Sequence, residues 1–199
     1  MKYSRIVILS LVIVMVATVV VSLARIRNIP TTGPTATPTS QQTPTPIPGY
    51  VVYTDQANGF TISYPEDWNK IPEESYIEGV LIACSCDTDC GGTVPILNVG
   101  QSELSNPTSV QALFEQEKEF LATLEGYTSI SEEYLSLDGV DAIKHAYSII
   151  KNQVTVKILE IVLVEDTTAW FTACECALGC WGAYEPSFDI ILSSFHLLH

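Results

Sequence analysis

Two short cysteine strings constrain this chain more than any other feature. Ala83-Cys84-Ser85-Cys86-Asp87-Thr88-Asp89-Cys90-Gly91-Gly92 and Ala173-Cys174-Glu175-Cys176-Ala177-Leu178-Gly179-Cys180-Trp181-Gly182 both read A-C-x-C-x-x-x-C-x-G, and together they hold all six cysteines. Each string begins where an apolar run ends. Residues i and i+2 of a strand share a face, so Cys84 and Cys86 project together, as do Cys174 and Cys176. If the two strand ends are neighbours, four sulfurs converge and the loop cysteines Cys90 and Cys180 follow.

Two chemistries suit such a cluster. An even count with no cysteine left over, in an oxidising compartment, reads as three disulfides. Six cysteines allow fifteen pairings, of which six have every bond joining the two strings. A bridge closing a loop of roughly 90 residues would stabilise the fold by about 4–5 kcal/mol in the chain-entropy picture. The alternative is a thiolate centre for zinc, copper(I) or iron–sulfur, with Asp87, Asp89 and Glu175 adding charge and oxygen donors. Against it, the C-x-C-x3-C spacing departs from the paired C-x2-C of common zinc sites. Asp87-Thr88-Asp89 also matches a fragment of a calcium loop, but the glycine and closing glutamate of an EF-hand are missing. Disulfides are therefore the expected state, with zinc, copper or calcium as the competing occupants and no cofactor firmly implied.

The compartment follows from the N-terminus. Ile6 to Ala24 is 19 residues without a charge. At 1.5 Å per residue it spans about 28 Å, close to the hydrocarbon thickness of a bilayer. A secretory signal has a shorter apolar region, about 7–15 residues, so the length favours a retained signal anchor over 1–27. Ser22-Leu23-Ala24 nevertheless matches a small-x-small cleavage site, which would give a secreted protein instead. From Asn28 to Gly49 the chain turns to Pro and Thr, a composition that cannot bury apolar surface and stays extended. Its 22 residues reach about 70 Å when fully extended. The expected organisation is an anchor (1–27), a Thr/Pro-rich linker (28–49) and a domain outside the cytoplasm (50–199).

Charge divides the same way. The whole chain carries −14, but Lys2, Arg5, Arg25 and Arg27 all lie in the leader. Beyond residue 27, five basic side chains stand against all 23 acidic ones, a net −18. Such a domain is excluded from phosphate-backbone binding, so no nucleic-acid partner is expected. A basic protein surface or cations suit it better.

Within 50–199 the periodicities predict an α+β domain with an antiparallel sheet of six or seven strands and two helices. Phe60, Ile62 and Tyr64 alternate with Thr61 and Ser63 before the turn Pro65-Glu66-Asp67-Trp68. Gly79–Cys84 and Val94–Val99 read as short buried strands. Thr108 is the expected cap of a helix, with Gln111 completing a capping box. Val110, Leu113, Phe114, Phe120, Leu121 and Leu124 form its apolar face, and Glu115, Glu117, Lys118 and Glu119 are expected in solvent. Asp138-Gly139 predicts a type I′ hairpin between Tyr127–Leu137 and Val140–Ile150. Lys151-Asn152-Gln153 turns into Val154–Val164, and Asp166-Thr167-Thr168 into Ala169–Cys176. The last helix is expected from Pro186 to Phe195, capped by Glu185 or Ser187.

Gly59-Phe60-Thr61-Ile62-Ser63-Tyr64-Pro65-Glu66-Asp67-Trp68 resembles the opening of PsbP-type domains, and Phe188-x-x-Ile191-x-x-Ser194-Phe195 is similar to that family's terminal helix. The resemblance covers about residues 50–196 in layout. It implies an α-β-α sandwich and a non-catalytic, extracytoplasmic protein. Plant members assist the oxygen-evolving complex of photosystem II and influence calcium and chloride retention, whereas many prokaryotic members are anchored proteins without known chemistry. The cysteine strings are not part of that pattern, so the photosynthetic role is not carried over and no metal ligand is mapped from it. Phe60, Tyr64, Trp68 and Phe195 are expected in the core.

Catalytic constellations are not visible. The chain has three histidines, His145 in mid-strand and His196 and His199 at the C-terminus, and no nucleophile-elbow, P-loop, dinucleotide or H-E-x-x-H pattern. The sequence thus predicts a membrane-anchored, non-catalytic binding module with a disulfide-pinned acidic surface and a protein partner. A metal-thiolate or redox-active module on the same scaffold is the alternative, and a secreted hydrolase with a hidden site is a third reading.

Overall fold

The computed structural model describes residues 46–71, 79–85, 90 and 93–198. The expected membrane segment, most of the linker, and Cys86, Asp87 and Asp89 lie outside them. Among the described residues, no helix is long and apolar enough to cross a membrane.

Two strands open the fold, β1 (Tyr50–Asp55) and β2 (Phe60–Pro65), followed by the short β3 (Trp68–Lys70). Then come β4 (Val80–Cys84), β5 (Ile96–Glu103) and helix α1 (Val110–Leu121). The second half runs β6 (Thr128–Leu137), β7 (Val140–Lys151), β8 (Val154–Glu165) and β9 (Thr168–Ala177). A 3-10 turn (Leu178–Cys180) leads into α2 (Trp181–Ser193), and β10 (His196–Leu197) closes the chain.

Seven strands form one antiparallel sheet in the order β3-β4-β5-β9-β8-β7-β6, and β1, β2 and β10 form a small second sheet. Tight turns set the long meander. Asp138 and Gly139 both take positive φ, 51° and 86°, as the expected type I′ hairpin requires. Asn152 and Gln153 repeat the device between β7 and β8, at 51° and 69°. Gly79 has a different reason: at φ +117° its missing side chain lets the backbone pass Val99, whose carbonyl oxygen would collide with a Cβ there.

Side-chain alternation gives the sheet two covered faces. On one, α1 lays Val110, Leu113 and Phe114 over Ile143, Val162 and Ala169, and Leu121 over Tyr147, Ile149, Val156 and Ile158. On the other, α2 and the small sheet enclose the larger core, with Phe60, Trp68, Phe188, Ile191 and Phe195 against Leu97, Leu159, Cys174 and Cys176. Phe60, Trp68 and Phe195 are buried as expected, and Tyr64 packs partly buried against the same core.

Both helix starts differ from the periodicity reading. Ser109, not Thr108, caps α1: its φ/ψ is extended and its hydroxyl accepts the Ala112 N–H at 3.2 Å. Thr108 instead donates its hydroxyl to the Asn106 carbonyl. Helix α2 begins five residues before Pro186 and carries that proline inside. Trp181, 5% exposed, anchors the early start in the core, and Glu185 accepts its indole N–H at 2.8 Å rather than capping a helix.

Candidate functional site

The two cysteine strings meet, but through fewer bonds than their spacing allows. Cys90 and Cys180 are bridged, with Cα atoms 5.7 Å apart, tying a point between β4 and β5 to the turn that begins α2. Cys84 is also disulfide-bonded. Cys174 and Cys176 are free, buried thiols on β9. The reason is strand order. The expected convergence needs β4 beside β9, and β5 lies between them. Cys84 donates its N–H to Pro95, and the next residue, Ile96, pairs with Glu175. Two strand spacings put Cys84 about 9–10 Å from the Cys174/Cys176 stretch, beyond disulfide reach. The positions beside Cys174 are filled by Leu97 and Leu159 instead.

These thiols are poised for inertness. Burial pushes the Cys176 thiol up to about 12, and the neighbouring Glu175 charge adds to it. Burial also raises Cys174 well above the ordinary thiol range. Both stay protonated, and a thiol rather than a thiolate is a poor nucleophile and a poor ligand.

Glu175, expected among the cation donors, lies between the two thiols in sequence and so projects from the opposite face of β9. There it forms an ion pair with Lys151 at 2.6 Å. Among the described residues, no three His, Cys, Asp or Glu side chains are gathered to hold a metal.

The α1 face holds a polar cluster that the periodicity reading missed. His145 and Glu160 sit directly across from one another on β7 and β8. The His145 Nδ1 lies 3.3 Å from Glu160 Oε1, and the Tyr147 hydroxyl donates to Glu160 Oε2 at 3.3 Å. With its proton on Nδ1, His145 accepts from the Ser129 hydroxyl at Nε2, 3.2 Å away. The Phe114 ring meets the imidazole edge-on, at a centroid distance of 5.0 Å. Glu117, expected on the solvated side of α1, turns inward, and its Oε2 is buried without a hydrogen-bond partner.

Charge is suppressed throughout this cluster. Burial pushes Glu160 up to about 8, although the Tyr147 hydroxyl and Lys151 pull the other way. Burial and the Glu160 charge raise Glu117 well above the ordinary carboxylate range. Burial also lowers His145 to about 4, so its imidazole is neutral. Two buried carboxyls and a neutral histidine hold protons in place under a helix. A signal for the cluster exists in the sequence: Glu160 interrupts the apolar run Ile158–Val164, opposite His145 in the middle of the preceding strand pattern.

The class defined by this geometry is an antiparallel α-β-α sandwich with one face cross-linked to its loop. The chain belongs to the PsbP-like protein family, whose pattern matches residues 6–197. Among solved structures it is similar to the cyanobacterial PsbP (CyanoP) of Synechocystis sp. PCC 6803, with a TM-score of 0.59 and 18% identity, covering 83% of this chain and 99% of that one. It is also similar to LpqN of Mycobacterium tuberculosis, involved in cell envelope biogenesis, with a TM-score of 0.60 and 15% identity, covering 75% and 91%. No curated protein matches the chain in sequence. At these identities the structural likeness speaks for the fold.

Proposed function

We propose that the chain is a membrane-anchored, extracytoplasmic and non-catalytic binding module. The Cys90–Cys180 bridge carries this reading, because a structural disulfide persists in oxidising compartments and is rare in the cytosol. Two further observations support it. The family pattern begins at residue 6, so the apolar run Ile6–Ala24 and the Thr/Pro-rich linker fall inside the matched span. LpqN, of similar fold, is described as taking part in cell envelope biogenesis. The polar cluster under α1 is buried and neutralised, which suits a structural role, and the acidity beyond residue 27 suits a basic protein partner.

The test is fractionation of cells expressing the full chain with a C-terminal tag. The chain is expected in the membrane fraction, with the tagged domain digested by protease added to intact spheroplasts. A soluble chain that resists protease until the cells are lysed would refute the reading. An N-terminus at Arg25 would make the domain a secreted one.

The free thiols favour a second reading, a soft-metal or redox module. Native purification with zinc or copper bound at stoichiometry, and lost in a Cys174→Ala/Cys176→Ala chain, would establish it. Their neutral, buried state argues for the first.

A further inference from the structure

The two ends of the seven-stranded sheet are finished differently. At one end β3 has three residues and carries Lys70, a short and charged edge of the kind that resists further pairing. At the other end β6 runs for ten residues, none of them buried. Among the described residues, no strand pairs with its outer side. An antiparallel strand turns the N–H and C=O of every second residue away from its partner, so this edge offers a row of open backbone groups. Thr128, Ile130 and Tyr134 favour extended backbone, and β6 contains neither Lys nor Pro to block an incoming strand. Ile130 and Tyr134 are 50% and 60% exposed, and a bulge between Ser129 and Ser131 sets Ile130 outside the regular ladder.

Charge selects the occupant. Glu132 and Glu133 stand at the midpoint of β6 and, as neighbours, point to opposite faces. Two copies of β6 paired antiparallel in full overlap would place Glu132 of one against Glu133 of the other, and like charges directly opposed destabilise a sheet. The net −18 beyond residue 27 repels a second copy further. A strand with basic side chains at its centre meets the reverse condition. Lys118 reaches Glu132 from α1 at 3.3 Å, on the inner side of the edge.

We propose that β6 is a strand-addition site for an extended, basic segment of a partner protein. The partner's backbone continues the sheet, its central Lys or Arg side chains meet Glu132 and Glu133, and its apolar side chains cover Ile130 and Tyr134. Main-chain hydrogen bonds then supply affinity, and alternate side chains supply selectivity. The inference rests on the binding-module reading and names the surface and the chemistry of its partner.

The probe is a fluorescent ten-residue peptide with two adjacent Lys at its centre and Val and Thr on either side, so that one Lys faces each glutamate, offered to the full-length chain in detergent micelles. Its glutamate counterpart and a Lys peptide N-methylated at alternate backbone positions serve as controls. Anisotropy reads affinity, and hydrogen exchange read by mass spectrometry locates the contact. The Lys peptide is expected to slow exchange within Thr128–Leu137, and E132Q/E133Q to weaken it about tenfold. N-methylation is expected to weaken it by about tenfold or more, because the strand hydrogen bonds are lost. Equal binding of the N-methylated peptide would reduce the effect to charge attraction and overturn the site. Protection at β1 rather than β6, indifference to E132Q/E133Q, or concentration-dependent protection of β6 without peptide would also overturn it. A domain shown outside the membrane with no protection in β6 loses the site and keeps the module reading, whereas a cytosolic chain loses both.

Discussion

The two faces of the seven-stranded sheet solve the same packing problem with different materials. The α2 face is apolar and sulfur-rich: Phe188 touches Trp68, Trp181 and Tyr184, the thiols of Cys174 and Cys176 are buried in the same core, and Cys180 ties the start of the helix to Cys90. The α1 face is split into two apolar patches, one of them including Tyr147, with His145, Glu160 and Glu117 between them. Burial and a covalent link stabilise the first face at any ordinary pH. The second depends on which protons it holds. Stability and pH response are thus assigned to opposite sides of one sheet.

That contrast is open to attack from its strongest point downwards. Replacing both bridge cysteines, Cys90→Ser with Cys180→Ser, is expected to cost about 4–5 kcal/mol in urea unfolding, since the loop closed spans 90 residues. An unchanged midpoint would remove the covalent half of the comparison. Phe188→Ala, at a side chain with no exposed surface, is expected to cost about 3–5 kcal/mol, with little dependence on pH.

The α1 face should announce itself through pH. Glu160 holds its proton up to about 8 in the folded chain against an ordinary 4.5, so its stabilisation is complete below 4.5 and is lost as pH rises towards 8. His145 is shifted the other way, from 6.5 down to about 4, so its contribution is present above 6.5 and lost as pH falls towards 4. Between 4.5 and 6.5 the two slopes oppose each other. From pH 6.5 to 8 only the carboxyl slope remains, at most about 1.4 kcal/mol per pH unit for one proton. Unfolding across that range should show the fall in the natural chain and a shallower one in Glu160→Gln, where the burial of Glu117 still raises its carboxyl. A natural chain whose stability is level to pH 8 would contradict the buried, proton-holding cluster.

The smallest effect is expected at Glu117. Exchanging a buried carboxyl without a hydrogen-bond partner for an apolar side chain removes a desolvation cost. Glu117→Leu should raise stability by about 1 kcal/mol near neutral pH, read as a shift in thermal midpoint. A loss of stability there would mean that the carboxyl is bound to a group that holds it.

Local features of the fold were legible in the sequence because local physics produces them. Asp138-Gly139 turns where its φ values require, and the alternation of Phe60, Ile62 and Tyr64 places β2. The resemblance of Gly59–Trp68 and of the terminal helix to PsbP-type domains led to the right family. What local pattern cannot carry is the order of strands in the sheet. The insertion of β5 between β4 and β9 keeps Cys84 away from Cys174 and Cys176, and nothing in the twin strings encodes it. The inward turn of Glu117 has a related cause. A run of Glu and Lys on a helix reads as a wet face until Glu160, 43 residues on, supplies the polar interior that it faces. Helix α2 starts early because a buried Trp181 and a bridged Cys180 outweigh the discouragement of Pro186.

The most direct test of an exported, cross-linked module is the redox state of its cysteines as the cell leaves them. The natively isolated chain would be alkylated before any reductant is added, then digested and mapped by mass spectrometry. A linked peptide pair containing Cys90 and Cys180 is expected, with Cys174 and Cys176 labelled only once the domain is unfolded. Labelling of Cys90 and Cys180 in the native chain, with no linked pair, would contradict the account.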